Sequence, residues 1–188
     1  MVLERRTLNP ARKAFEDGVV SMSTEPERLA LQIQRSFEGP AWHGPSVLEA
    51  LQGLTAEGAQ AHPITGAHSV WELVLHLAGT YGLVLRRLAG EDAQLTPEQD
   101  WPPVPAPTES TWRDALRSLQ ELNGRVRSAV SSFDPGHLDD PLCANVAYTA
   151  YTQFIGITQH DLYHAGQIAI LRKAMAEGQD DEVRQSSD

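Results

Sequence analysis

The run from Ser69 to Gly90 constrains this chain more than any other part of it. Val70, Val74, Leu77, Ala78, Tyr81, Leu85 and Leu88 recur at steps of three and four, which lays one apolar stripe along a helix. Ser69 with Glu72 three residues on has the form of a capping box, and Gly90 stands where such a helix stops. A striped helix is not stable alone and must be covered by others. The chain supplies them. Thr24 and Glu27 open a run through Leu29, Ile33 and Phe37, predicting a helix over about 24–37 that Gly39 and Pro40 end. Thr108 opens another, carrying Trp112, Leu116, Leu119, Val126 and Val130 to about Phe133. A fourth is expected over about 147–176. Ser46 allows a short helix through Leu51, and 55–66 reads as a connector. Five prolines between Glu91 and Pro107 make that segment an extended crossover rather than a helix. No strand pattern competes. The expectation is an all-α four-helix bundle with a long crossover connection, occupying 23–177, with a flexible arm at 1–22 and an acidic tail at 178–188.

Charge narrows the partners. The chain has 188 residues and a formal net charge of −10, which disfavours nucleic acid and anionic membrane, since both select a basic surface. A single cysteine excludes an internal disulfide and fits a reducing cytoplasm. No stretch reaches the roughly 18 apolar residues of a membrane span. Arg5, Arg6, Arg12 and Lys13 are followed by no apolar segment, so no secretory signal is read. The expected location is cytoplasmic, with Met22 as a second conceivable start.

The chemistry concentrates in histidine. His160 and His164 lie one turn apart on the face that continues through Ile157, Ile168 and Leu171. Two neutral imidazoles so placed can grip a divalent transition metal, or can be two packed, hydrogen-bonded core side chains. His76, amid Leu73, Val74, Leu75 and Leu77, falls on the shoulder of its stripe, where it either faces a cleft or rests on a neighbour's carbonyl. Gln167 shares the His164 face and is open to a metal-bound water or to a facing helix. Tyr163 either lines a pocket mouth or packs, with packing preferred. Asp161 has Arg172 or an imidazole N–H as possible partners. His43 reads as a turn residue, or a second-sphere or substrate-side group, rather than a ligand, and His62, His68 and His137 as exposed connector residues. Cys143 reads as inert. Trp71 and Trp112 need no cofactor to explain them.

Ser69-Val70-Trp71-Glu72-Leu73-Val74-Leu75-His76-Leu77, with His160-Asp161-Leu162-Tyr163-His164-Ala165-Gly166-Gln167-Ile168 far downstream, resembles the DinB-like (YfiT-like) superfamily of metal-binding four-helix bundles. The Gly39–Pro45 turn shares the likeness, which runs from about 24 to 176. The resemblance implies that His76, His160 and His164 are a metal triad holding zinc, nickel or another divalent ion. Some relatives are transferases or isomerases that use a low-molecular-weight thiol. The implied function is therefore a metal-dependent enzyme acting on a small molecule, first of all a thiol S-transferase. A metal-dependent hydrolase and a non-catalytic metal-binding stress-response module are the alternatives. Relatives often form homodimers, so a dimer is allowed. No residue stands out as a general base, and neither catalytic nor cofactor-binding side chains are assigned.

Overall fold

The computed structural model describes residues 23–185, with side chains through residue 177. The arm expected over 1–22 lies outside the described residues. Among the described residues seven α-helices follow one another: α1 Glu25–Glu38, α2 Val47–Leu51, α3 Ala56–Gln60, α4 Val70–Leu88, α5 Pro97–Asp100, α6 Glu109–Ser131 and α7 Ala150–Gln185. No strand occurs among the described residues. The helix starts follow the side chains that open them. Thr24 with Glu27 and Ser69 with Glu72 both form reciprocal capping boxes, satisfying donors that the first turn would otherwise leave orphaned. Thr108 caps α6 in the same manner with Thr111. Thr149 accepts from the Thr152 backbone N–H at the entry to α7.

Two segments read as connectors carry short helices. Thr55 caps α3 through the Gly58 N–H, and Thr96 caps α5 with Gln99. Pro97 occupies the first turn of α5, where its missing N–H costs nothing, so that proline begins a helix instead of forbidding one. At the other end α7 runs to Gln185, past the expected limit near 176. Nothing beyond Met175 is proline, and Gly178 alone costs only about 1 kcal/mol in a helix interior.

The four long helices form a bundle. Helix α1 packs against α6 and α7, and α4 packs against the same two, which gives a ring in the order α1, α6, α4, α7. Trp71 in the first turn of α4 and Trp112 in the first turn of α6 have ring centroids 5.1 Å apart, so both helices begin at the same end. The segment between them must therefore return the length of α4. It does so in contact with that helix: Arg87 Nε donates to Ala93 O, Gly79 lies against Gln99 O, and His76 Nδ1 reaches Asp100 O. A Cβ on Gly79 would stand 2.9 Å from the Gln99 carbonyl oxygen, so a hydrogen there is what allows the strap to lie so close.

The interior is largely apolar, with Trp71, Trp112, Phe37, Phe154 and Leu119 buried, and one of its polar features is a knot that joins all four long helices. Ser36 of α1, Tyr81 of α4 and Asp161 of α7 meet there, with Asn123 of α6 against the Tyr81 phenol. Tyr81 Oη donates to Asp161 Oδ1 at 2.6 Å, and Asp161 Oδ2 lies 2.7 Å from Ser36 Oγ. Ser36 Oγ is also 3.0 Å from Ile33 O, and its single proton cannot serve both acceptors. A protonated Asp161 resolves this by donating to Ser36, which then donates to Ile33. Burial pushes the Asp161 carboxyl up to about 7, against the opposing hydrogen bonds of Tyr81 and Ser36. The pairings expected for Asp161 are not made. Arg172 instead donates to Ala50 O at 2.7 Å, tying α7 to α2.

Candidate metal centre

Helix α4 contributes His76, and α7 contributes His160 and His164 from successive turns. The bundle brings the three together: one ring nitrogen from each lies within 4.8 Å of the others. His160 Nε2 is 2.9 Å from His76 Nε2 and 3.0 Å from His164 Nε2. His76 and His164 are buried and His160 is half-buried.

The outer nitrogens decide what the inner ones present. His76 Nδ1 stands 3.0 Å from Asp100 O and 3.0 Å from Asp100 Oδ1, both acceptors, so Nδ1 carries the proton and Nε2 a lone pair. His164 Nδ1 donates to Gln167 Oε1 at 2.6 Å, which leaves its Nε2 a lone pair too. His160 Nε2 sits between these two lone pairs, and one proton there satisfies only one neighbour. At least one of these two contacts of about 3 Å is therefore left without a hydrogen bond across it, and a cation shared by the three nitrogens removes that mismatch. Donors about 2 Å from one ion stand about 3 Å apart, so the spacing also suits a common centre. Burial, then the proximity of His164 and His76, hold His160 down to about 3, and burial lowers His164. Both are neutral at pH 7, the form that ligates.

Two residues that hold His76 come from the strap and have no helical period to reveal them. Asp100 accepts from its Nδ1, and the Trp101 ring lies parallel on its imidazole, with centroids 4.1 Å apart and 2° between planes. Trp101 is covered on its other face by His68 at 3.7 Å and 5°. His68, expected to be merely exposed, is exposed but stacked. The signal available was a large aromatic inside a proline-rich connector, an unusual place for one without a partner. His160 differs from the other two in that its buried Nδ1 has no partner among the described residues.

The remaining expectations divide. Gln167 Oε1 accepts from His164 Nδ1, a role neither suggestion gave it. Tyr163 is 64% exposed, with its ring edge-on to His164 at 5.1 Å, so it borders the site without joining the core. His76 rests on a carbonyl and also faces the cluster, so both readings of it hold at once, one at each nitrogen. His43, His62 and His137 are exposed and outside the cluster, and Cys143 is buried apart from it. A cavity of about 310 Å³ reaches His160 along Gln159, Gly156, Gln153 and Tyr148. Another, about 280 Å³, is lined by His68, Gln167 and Ile170. No helix among the described residues is long and apolar enough to cross a membrane.

No curated protein and no solved structure matches the chain. The sequence model of the DinB superfamily matches residues 42–168, more than half of the chain and the whole stretch from His76 to Gln167. The helical bundle and that match agree, and the chain belongs to the DinB superfamily.

Proposed function

We propose that His76, His160 and His164 hold one divalent transition metal, zinc or nickel first, and that the loaded site transfers a low-molecular-weight thiol to a small electrophile. The observation that carries the metal is the convergence of three Nε2 atoms whose lone pairs have no other cation to face. Three neutral ligands leave the ion its full charge, and in an open position it lowers the pKa of a bound thiol or water.

The choice of a thiol over water rests on what surrounds the triad. Among the described residues no carboxylate faces the Nε2 cluster: Asp100 lies behind His76, and Asp161 is committed to Tyr81 and Ser36. Hydrolysis asks for a group that accepts water's proton, whereas a coordinated thiol gives its proton up outright. A transfer reaction also needs room for two reactants. One cavity meets the triad at His160, and the second meets Gln167, which holds His164.

The test uses protein purified without an affinity tag, reconstituted with zinc or nickel, and given a panel of small thiols with a chromogenic electrophile. The expected result is metal-dependent conjugation that His164→Ala reduces at least about a hundredfold. Metal binding without turnover across the panel would favour the non-catalytic module. Metal-dependent ester cleavage without thiol would favour the hydrolase.

A further inference from the structure

Arg87, in the last turn of α4, is a buried cation with no buried anion. It is 3% exposed, and among the described residues no carboxylate lies within 4.0 Å of it. Asp134 and Asp140 share a surface hollow with it but lie beyond that distance. All its contacts are to neutral oxygens. Nε donates to Ala93 O at 3.0 Å, Nη2 to Gln94 Oε1 at 2.9 Å, and Nη1 to Tyr148 Oη at 2.6 Å and Gln153 Oε1 at 3.5 Å. A desolvated guanidinium held only by neutral acceptors is costly, and an anion placed close by relieves that cost.

Two of those acceptors, Tyr148 and Gln153, line the cavity that ends at His160. Because Tyr148 Oη accepts from Arg87, its own proton is left for another acceptor. Because Gln153 presents Oε1 to Arg87, its amide N–H groups are directed elsewhere. One end of the cavity thus carries two donors backed by a positive charge, and the other end carries a triad imidazole. Gln153 and His160 are seven residues apart on α7, about 10 Å along the helix axis. Val84, Gly156 and Ile157 give the wall an apolar share, and Thr80, Thr152 and Gln159 complete it without adding a charge.

We infer that this cavity takes a small molecule with a carboxylate head, bound by the Tyr148 hydroxyl and the Gln153 amide with the charge of Arg87 behind them, and with its other end at His160. That the far end is the reacting end rests on the function proposed above. The recognition of the head does not require a metal.

Hexanoate and its neutral counterpart hexanamide are the probes, titrated calorimetrically into the full chain, both metal-free in chelator and zinc-loaded. Metal-free wild type is expected to bind hexanoate about tenfold or more tightly than hexanamide, the scale of a charge-assisted contact. In Arg87→Gln and in Tyr148→Phe the preference is expected to fall to within about threefold. Circular dichroism establishes whether Arg87→Gln folds; if it does not, Tyr148→Phe decides, since that ring is 40% exposed and keeps its shape. Equal binding of the two probes, no hexanoate binding in the low-millimolar range, or a preference that survives Tyr148→Phe would overturn the inference. So would a preference seen only with zinc, because the carboxylate would then sit on the ion. Carboxylate preference in a protein that takes up no metal sustains this inference and removes the metal-centre reading. Metal uptake without the preference does the reverse.

Discussion

Consecutive residues on α7 pull the pH dependence of stability in opposite directions. His160 is held near 3 in the folded chain against about 6.5 unfolded, so between those values the unfolded state carries the extra proton and stability falls as pH falls. Asp161 is held near 7 against about 3.8 unfolded, so in that window the folded state carries the extra proton and stability falls as pH rises. Across pH 4–6.5 the two oppose each other, with His164 adding to His160. Asp161→Asn removes one side. In chelator, its unfolding free energy is expected to climb with pH over that range more steeply than wild type, by up to about 1.4 kcal/mol per unit. Urea denaturation at several pH values measures it, and parallel curves for the two proteins would contradict it. Gln167 makes a separate prediction, because it fixes which nitrogen of His164 is protonated. Gln167→Leu is expected to weaken metal binding about 10–100-fold, measured by competition with a chromophoric chelator. At this scale the clustered histidines were legible from helical spacing and motif. Their partners were not: Asp100 reaches His76 only because the chain folds back on itself, and Asp161 finds Ser36 from 125 positions away.

The strap between α4 and α6 is the element that joins fold to site. Its length follows from topology, since two helices starting at one end of the bundle need a connection that runs the length of the first. Its closeness follows from Gly79, and its grip on His76 from Asp100 and Trp101. Gly79→Ala separates local preference from packing. Helix propensity alone would stabilise α4 by about 1 kcal/mol, whereas the clash with the Gln99 carbonyl is expected to cost about 1–3 kcal/mol and to weaken metal binding several-fold. Chemical denaturation with a metal competition assay checks both, and a net gain in stability would mean that the strap does not rest on α4. Legibility at this scale tracked the source of each helix's stability. Helices α1, α4 and α6 could be placed because capping boxes and apolar stripes are local signals. The short helices α3 and α5 escaped because a capping threonine before four or five residues looks like ordinary loop composition, and the prolines around α5 pointed away from any helix.

Across the whole molecule, the candidate metal centre lies between α4 and α7, neighbours in the ring whose facing residues His76 and His160 are 84 positions apart, so occupying it should hold the bundle closed. A ligand at about a thousand times its dissociation constant stabilises the native state by about 4 kcal/mol. For a domain of this size that corresponds to a rise of roughly 8–16 °C in Tm. Scanning calorimetry with and without zinc is expected to show that rise in wild type and to lose it in His160→Ala. The bundle as a class was readable from four runs of helical period, but the meeting of His76 with His160 and His164 came from the motif resemblance alone, because periodicity places a side chain on a face without saying which face it meets. The most direct test is metal stoichiometry and coordination in tag-free protein, by elemental analysis and X-ray absorption. The expected result is one divalent ion per chain, bound by three imidazole nitrogens, with affinity at least about tenfold weaker in His76→Ala. No ion after reconstitution, or an ion held as firmly by His76→Ala as by wild type, would contradict it.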